Sequence, residues 1–269
     1  MTLRPKRFRR MFILPLTGPA FGSALFLRLI MLQCFIGLDQ RQPVAYSVAQ
    51  HSLIWRCSEP VNVCPLNVET LPVKKVGLTP FTFTRWLVPW LMEGRGWALF
   101  MDTDVLILGD VAEVFGLSND AYAVMVSKNP RHFEWPAVML FNCAHEACKA
   151  LTPEFVDDGK GLYGFKWCGG EDSPLIGELP REWNHLVGYD PPRLDAKLVH
   201  FTAGIPPFEE TKMCEYSDAW HVEHQRLNAS LPWAALMAQS VHATHLPDGR
   251  ALPHFHPEVL AMKGQMSPK

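Results

Sequence analysis

The sequence predicts an α/β fold, and three observations carry the prediction. Apolar runs too short for helices end in Gly or Asp. A stretch of helical spacing separates the first two of them. The chain has 269 residues, 48% hydrophobic and 19% charged, which is enough for one large core. Residues 29–36 are almost continuously apolar and run into Gly37-Leu38-Asp39, the pattern of a buried strand feeding a loop at the carboxyl end of a sheet. Pro43 then opens a helix over 43–56, with Val44, Val48, His51, Leu53 and Trp55 as its expected face. Residues 61–66 form the next strand and complete a strand–helix–strand opening. Thr79-Pro80 starts a second helix over 81–92, with Phe83, Trp86, Leu87, Trp90 and Leu91 inward and Gly94 and Gly96 at its end. Residues 97–101 are a compact apolar strand that stops at Asp102-Thr103-Asp104, and a second apolar stretch, 105–108, follows at once. Residues 121–127 and 137–142 read as two further strands, 157–170 as a glycine-rich loop, and 198–201 as a short strand. Beyond Glu209 the pattern is helical but patchy, and from Pro247 a loose tail rich in Pro, Gly and His is expected.

The formal net charge is −2, which leaves no basic surplus to hold a polyanion and argues against a nucleic-acid partner. The seven cysteines are irregularly spaced with no C-x-x-C pair. They imply reduced, mostly buried thiols in a cytoplasmic protein, not a zinc site. Residues 1–28 form a leader in which Arg4, Lys6, Arg7, Arg9 and Arg10 precede an apolar stretch broken by Pro15, Gly18 and Pro19. Membrane association through this leader is one reading. Arg28, the internal breaks and the lack of a small-x-small cleavage site point to the other, an appendage or a start at Met31. The expected organisation is a leader over 1–28, one main domain over 29–245 and a tail over 246–269.

Asp102 and Asp104 are the sharpest chemical feature. Two carboxylates at the end of a strand that is apolar on every side are costly to bury without a cation. On an extended chain residues i and i+2 point the same way, so both address one spot. Mg²⁺ and Mn²⁺ take oxygen ligands of this kind and keep positions open for phosphate oxygens. In open α/β sheets the ligand crevice lies at the carboxyl ends of the strands, where this motif falls. The plainer reading of three residues D-x-D is a turn that caps the next segment.

The longer string Trp97-Ala-Leu-Phe-Met-Asp102-Thr103-Asp104-Val-Leu-Ile-Leu-Gly109-Asp110-Val111-Ala-Glu113-Val-Phe115 resembles the donor-site segment of glycosyltransferase family 8 and its bacterial and phage relatives. The resemblance implies a GT-A catalytic domain with a mixed, mostly parallel sheet flanked by helices. It also implies a nucleotide-sugar donor, a UDP-sugar by preference, and Mn²⁺ or Mg²⁺. It makes His200, in Val199-His200-Phe201-Thr202-Ala203-Gly204-Ile205-Pro206, the third metal ligand after Asp102 and Asp104. Asp39, Gln40 and Tyr46 are then nucleotide contacts, and Thr103 belongs to the same donor site. Arg85 faces the diphosphate or the motif carboxylates, or is an ordinary helix arginine. Glu171 or Asp172 is the acid beside the transferred sugar, the sequence not separating them from each other or from exposed loop carboxylates. The family's Lys before the final Pro of the His motif is missing here. Diphosphate neutralisation therefore falls on the metal, on backbone N–H groups near Gly204 and on Arg85. The acceptor is a glycan, lipid or protein. Trp135, Trp167 and Trp183 either stack on it or belong to the core.

Two other functions fit part of the pattern. A haloacid-dehalogenase-type phosphohydrolase also places D-x-D-x-[T/V] after an apolar strand, which Asp102-Thr103-Asp104-Val105 satisfies. There, however, the motif opens the fold, whereas about a hundred residues precede it here. The non-enzyme alternative is a sugar-nucleotide- or glycan-binding relative without turnover, suggested by the missing Lys.

Overall fold

The computed structural model describes residues 31–75 and 77–228, so the leader over 1–28 and the tail over 246–269 lie outside the described residues. Among the described residues there are nine strands: β1 (Leu32–Gly37), β2 (Val61–Leu66), β3 (Trp97–Met101), β4 (Val105–Ile107), β5 (Val124–Val126), β6 (Val138–Asn142), β7 (Ile176–Glu178), β8 (His185–Leu186) and β9 (Leu198–His200). The main sheet has the order β2-β1-β3-β6-β5-β7, and a second sheet has the order β4-β9-β8. In the main sheet β1 is parallel to β2 and β3, β5 is parallel to β7, and β6 is antiparallel to β3 and β5. Only β6 is reversed, so the carboxyl ends of the other strands share one edge with the amino end of β6. The helices are α1 (Pro43–Arg56), α2 (Phe81–Thr84), α3 (Val88–Leu91), α4 (Ala112–Phe115), α5 (Pro153–Asp158) and α6 (Ser217–Leu227). This is the mixed, mostly parallel α/β architecture expected. Among the described residues no helix is long and apolar enough to cross a membrane.

Strand alternation builds two cores back to back. Phe35, Phe100, Met139 and Phe141 face one way, into a layer with Trp86, Trp135 and Phe165. Cys34, Ile36, Leu99, Met101 and Leu140 face the other way, against α1 and the second sheet. A third cluster of Ala45, Val48, Leu106, Val199, Phe201 and Trp220 joins α1 to β4, β9 and α6.

Three local expectations are corrected. The buried face of α1 is Ala45, Val48, Ala49, Ser52 and Leu53, an i, i+3, i+4, i+7, i+8 stripe, while Trp55 is 71% exposed. Small residues let α1 approach β4 closely enough for Ser52 Oγ to accept the Ile107 N–H at 3.1 Å. The helix over 81–92 is not continuous, because Pro89 has no N–H to return to the Arg85 carbonyl. The segment is therefore α2, a 3₁₀ turn over Arg85–Leu87, and α3. The glycine-rich stretch 157–170 is not a plain loop: α5 ends at Gly159, and a 3₁₀ segment over Tyr163–Cys168 drives Phe165 into the core.

Candidate metal centre

The strand ends fix the site through backbone bonds. Asp102 follows β3, and its N–H donates to the Ala137 carbonyl at 2.9 Å. Val105 pairs with His200 across β4 and β9, and the Phe201 N–H donates to the Asp104 carbonyl at 2.9 Å. This register sets His200 beside Asp104 although 96 positions (200 − 104) separate them in sequence. One ligand atom each from Asp102, Asp104 and His200 lies within 4.8 Å of the others. The His200 Nε2 stands 3.5 Å from Asp104 Oδ1. Asp102 Oδ1, Thr103 Oγ1, Asp104 Oδ1 and His200 Nδ1 are buried without hydrogen-bond partners. Buried polar atoms are normally satisfied, so four unpartnered atoms on neighbouring donors fit a ligand from outside the chain. Two carboxylates and an imidazole suit Mn²⁺ or Mg²⁺.

Arg85 and Glu134 complete the electrostatics. Arg85 is buried; its Nη2 lies 3.1 Å from Asp102 Oδ1, its Nη1 donates to the Pro136 carbonyl at 3.0 Å, and its Nε donates to the Phe81 carbonyl. It thus serves the motif carboxylates. Glu134 was not foreseen from the sequence: its Oε2 stands 3.9 Å from His200 Nδ1. Burial pushes Asp102 up to about 7 against the pull of Arg85. Burial alone would depress His200, but the facing carboxylates of Asp104, Asp102 and Glu134 outweigh it and carry the ring up to about 9. Burial also raises Glu134, opposed by His200.

Asp39 and Gln40 sit past the carboxyl end of β1, the strand next to β3. Asp39 is held by Arg41 through Nε at 2.9 Å and Nη2 at 2.6 Å, which keeps its carboxyl below the usual range. Gln40 is exposed and reaches Asn67 Oδ1 at 3.3 Å. Tyr46 is half-buried on α1, and burial raises its hydroxyl. Gly204 has φ 119°, and a side chain there would collide with Phe208. Its N–H donates to the Phe201 carbonyl at 2.8 Å. Glu171 is paired with His132 Nδ1, and Asp172 is exposed. Trp135 and Trp183 are core residues, and Trp167 packs against the same aromatic layer. All seven cysteines are free thiols. A cavity of about 600 Å³ lined by Trp90, Cys143 and Leu151 lies at the opposite edge of the sheet and carries none of these groups.

The class that this architecture defines is the GT-A glycosyltransferase fold. The chain superposes on the glycosyltransferase GlyE of Streptococcus pneumoniae TIGR4 with a TM-score of 0.53 at 13% identity, covering 77% of this chain and 63% of that one. On the apo structure of the bifunctional glycosyltransferase WbbM the TM-score is 0.52 at 12% identity, covering 80% of this chain and 52% of that one. On the galactosyltransferase LgtC, solved with donor and acceptor sugar analogs, it is 0.52 at 12% identity, covering 76% and 99%. The chain thus spans about half of WbbM and under two thirds of GlyE. At such identities the likeness shows the fold, and it takes away the fold that the phosphohydrolase alternative required. No protein-family model matches the chain. In sequence, Protein CDI of Arabidopsis thaliana is 34% identical over 229 residues, covering 72% of this chain and 86% of that protein. The chain belongs to the family of Protein CDI.

Proposed function

We propose that the chain is a metal-dependent glycosyltransferase that moves a sugar from a nucleoside-diphosphate sugar to an acceptor hydroxyl on a glycan, lipid or protein. The observation that supports it above all others is the convergence of Asp102, Asp104 and His200 at the carboxyl edge of a GT-A sheet. These three would hold Mn²⁺ or Mg²⁺, which when bound neutralises the charge that grows on the leaving diphosphate. Asp104 is the most exposed of the three, at 27% of its side chain, and would be the one nearest to incoming phosphates. Arg85 holds Asp102 in place from below. Asp39, Gln40 and Tyr46 take the base and ribose, with Arg41 covering the Asp39 carboxylate. Glu171, braced by His132, is the acid set beside the donor sugar, with Asp172 next to it as the alternative. The resemblance to glycosyltransferase family 8 supports a UDP-sugar and retention at the anomeric centre, and the free thiols support a cytoplasmic setting.

The test is UDP release from UDP-sugars with Mn²⁺. Asp102→Asn and Asp104→Asn should each lower it about 10²–10³-fold; Asp104→Asn should do so with unfolding temperature retained, whereas Asp102→Asn also strips buried Arg85 of its carboxylate and should lose some stability. Release with unaltered metal dependence in both variants would sink the reading. A binding-only role is the second reading: Arg85, which would otherwise neutralise the charge that grows on the diphosphate during turnover, is engaged by Asp102 and the Pro136 carbonyl. Calorimetry showing donor binding without turnover across acceptors would establish that role instead.

A further inference from the structure

The metal-ligand candidate His200 has two ring nitrogens, and the structure treats them differently. Nε2 is turned to Asp104 at 3.5 Å, inside the converging donor set. Nδ1 points away from Asp104, is buried, and has no hydrogen-bond partner. An imidazole that ligates through one nitrogen carries its proton on the other, and that N–H needs an acceptor to fix the tautomer and the ring plane. The carboxylate facing Nδ1 is Glu134, with Oε2 at 3.9 Å, a gap that a small side-chain rotation or one bridging water closes.

The loop that carries Glu134 is held rigidly. The Arg131 N–H donates to Asn129 Oδ1 at 2.8 Å, and the Trp135 indole donates to the Asn129 carbonyl at 2.9 Å. The Glu134 N–H donates to the Arg131 carbonyl, and the Glu134 carbonyl accepts Asn184 Nδ2 at 3.2 Å. Arg85 then ties the Pro136 carbonyl to Asp102. The backbone of Glu134 is therefore anchored on both sides, while its carboxylate pairs with His200 alone among the described residues. An acid placed next to Asp104 and Asp102 is a cost to folding unless it serves the imidazole between them.

We infer that Glu134 is a positioning residue of the metal centre: it accepts the His200 Nδ1 proton and so presents Nε2 to the ion held with Asp102 and Asp104. The inference rests on the metal reading above. In such an arrangement the carboxylate acts through the histidine and does not touch the ion.

The test titrates Mn²⁺ alone into the full-length chain and follows the signal of free Mn²⁺ by electron paramagnetic resonance. Glu134→Ala should weaken binding about tenfold or more, and Glu134→Gln, which keeps an acceptor oxygen and the same shape, should recover part of the loss. Neither should lower the unfolding temperature of the metal-free protein. In a His200→Ala background Glu134→Ala should add no further loss, because the route through the ring is already gone. Affinity unchanged within about twofold in both variants overturns the inference. So does an equal loss with and without His200, which would make Glu134 act on the ion or the fold directly. If Glu134→Ala does not fold, the isosteric Glu134→Gln carries the comparison. Failure of the unaltered chain to bind Mn²⁺ at all is a different result, which removes the metal reading itself.

Discussion

Two buried clusters of charged side chains in this molecule have opposite balances. On α6, the Glu223 carboxylate is 1% exposed and meets three basic side chains: His51 Nδ1 at 2.6 Å, Arg56 Nη2 at 2.7 Å and Arg226 Nη1 at 3.5 Å. At the carboxyl edge of the sheet, Asp102, Asp104 and Glu134 share one guanidinium and one imidazole. The titration follows the balance. Burial pushes Glu223 up, but its bonds to Arg56 and His51 outweigh that and hold it below the ordinary carboxyl range. In the other cluster burial wins, and Asp102 is carried up to about 7. The first cluster is closed and fastens α6 to α1. The second keeps a surplus of acid and several unbonded ligand atoms. A buried charge group that is complete within the chain is structural; one that is left open invites a cation.

The strongest break of this contrast is Arg85→Ala. It removes the guanidinium facing Asp102 and leaves a buried acid uncompensated, at a cost of about 3–5 kcal/mol in the metal-free protein by urea unfolding. Mn²⁺ should recover part of that loss, since an ion on Asp102 replaces the missing positive charge. A loss within about 0.5 kcal/mol, no more than an ordinary surface substitution, would mean that Asp102 does not depend on Arg85. Next in size is Glu223→Gln. The partners it abandons, His51 and Arg56, are about one fifth exposed and regain water, so the expected loss is smaller, about 2 kcal/mol. Mn²⁺ should recover none of it, which is the sharpest statement of the difference between the clusters. Equal metal responses in the two variants would erase it.

The open cluster was partly legible in the sequence and the closed one was not, for a physical reason. Asp102 and Asp104 end an apolar strand, and His200 sits in an equally distinctive string, so local pattern marks each of them. Their meeting depends on the β4–β9 register, which only the resemblance anticipated. Glu134 carries no spacing signal; its one mark is a single acid between Phe133 and Trp135 before Pro136, an apolar turn in which a carboxylate needs a partner. Glu223 lies in a helix of mixed polarity whose partners are on α1, far off in the chain. The extents of α1, β2 and β3 were legible because proline or a polar turn bounds each apolar run. β7 and β8 were not, since Gly177 and Glu178 leave β7 without an apolar run and β8 has two residues. The face of α1 was misread because alanine and serine, not the large residues, meet β4.

The smallest predicted effect tests whether the closed cluster is held by charge or by shape. The Glu223 carboxyl titrates below its ordinary value of 4.5 in the folded protein. A depressed carboxyl contributes stability that is fully present above the unfolded value and disappears as pH falls through the folded one. The gap in unfolding free energy between the unaltered chain and Glu223→Gln should therefore stay level from pH 7 to about 5 and narrow below about 4.5. Protonated glutamate and glutamine have nearly the same shape, so what survives at low pH measures packing and neutral hydrogen bonds, and what vanishes measures the ionic part. Urea unfolding of both proteins across that range separates the two. A gap that stays constant down to the folded value would make the contact of α6 with α1 a matter of fit, and the contrast between the clusters would then rest on the open one alone.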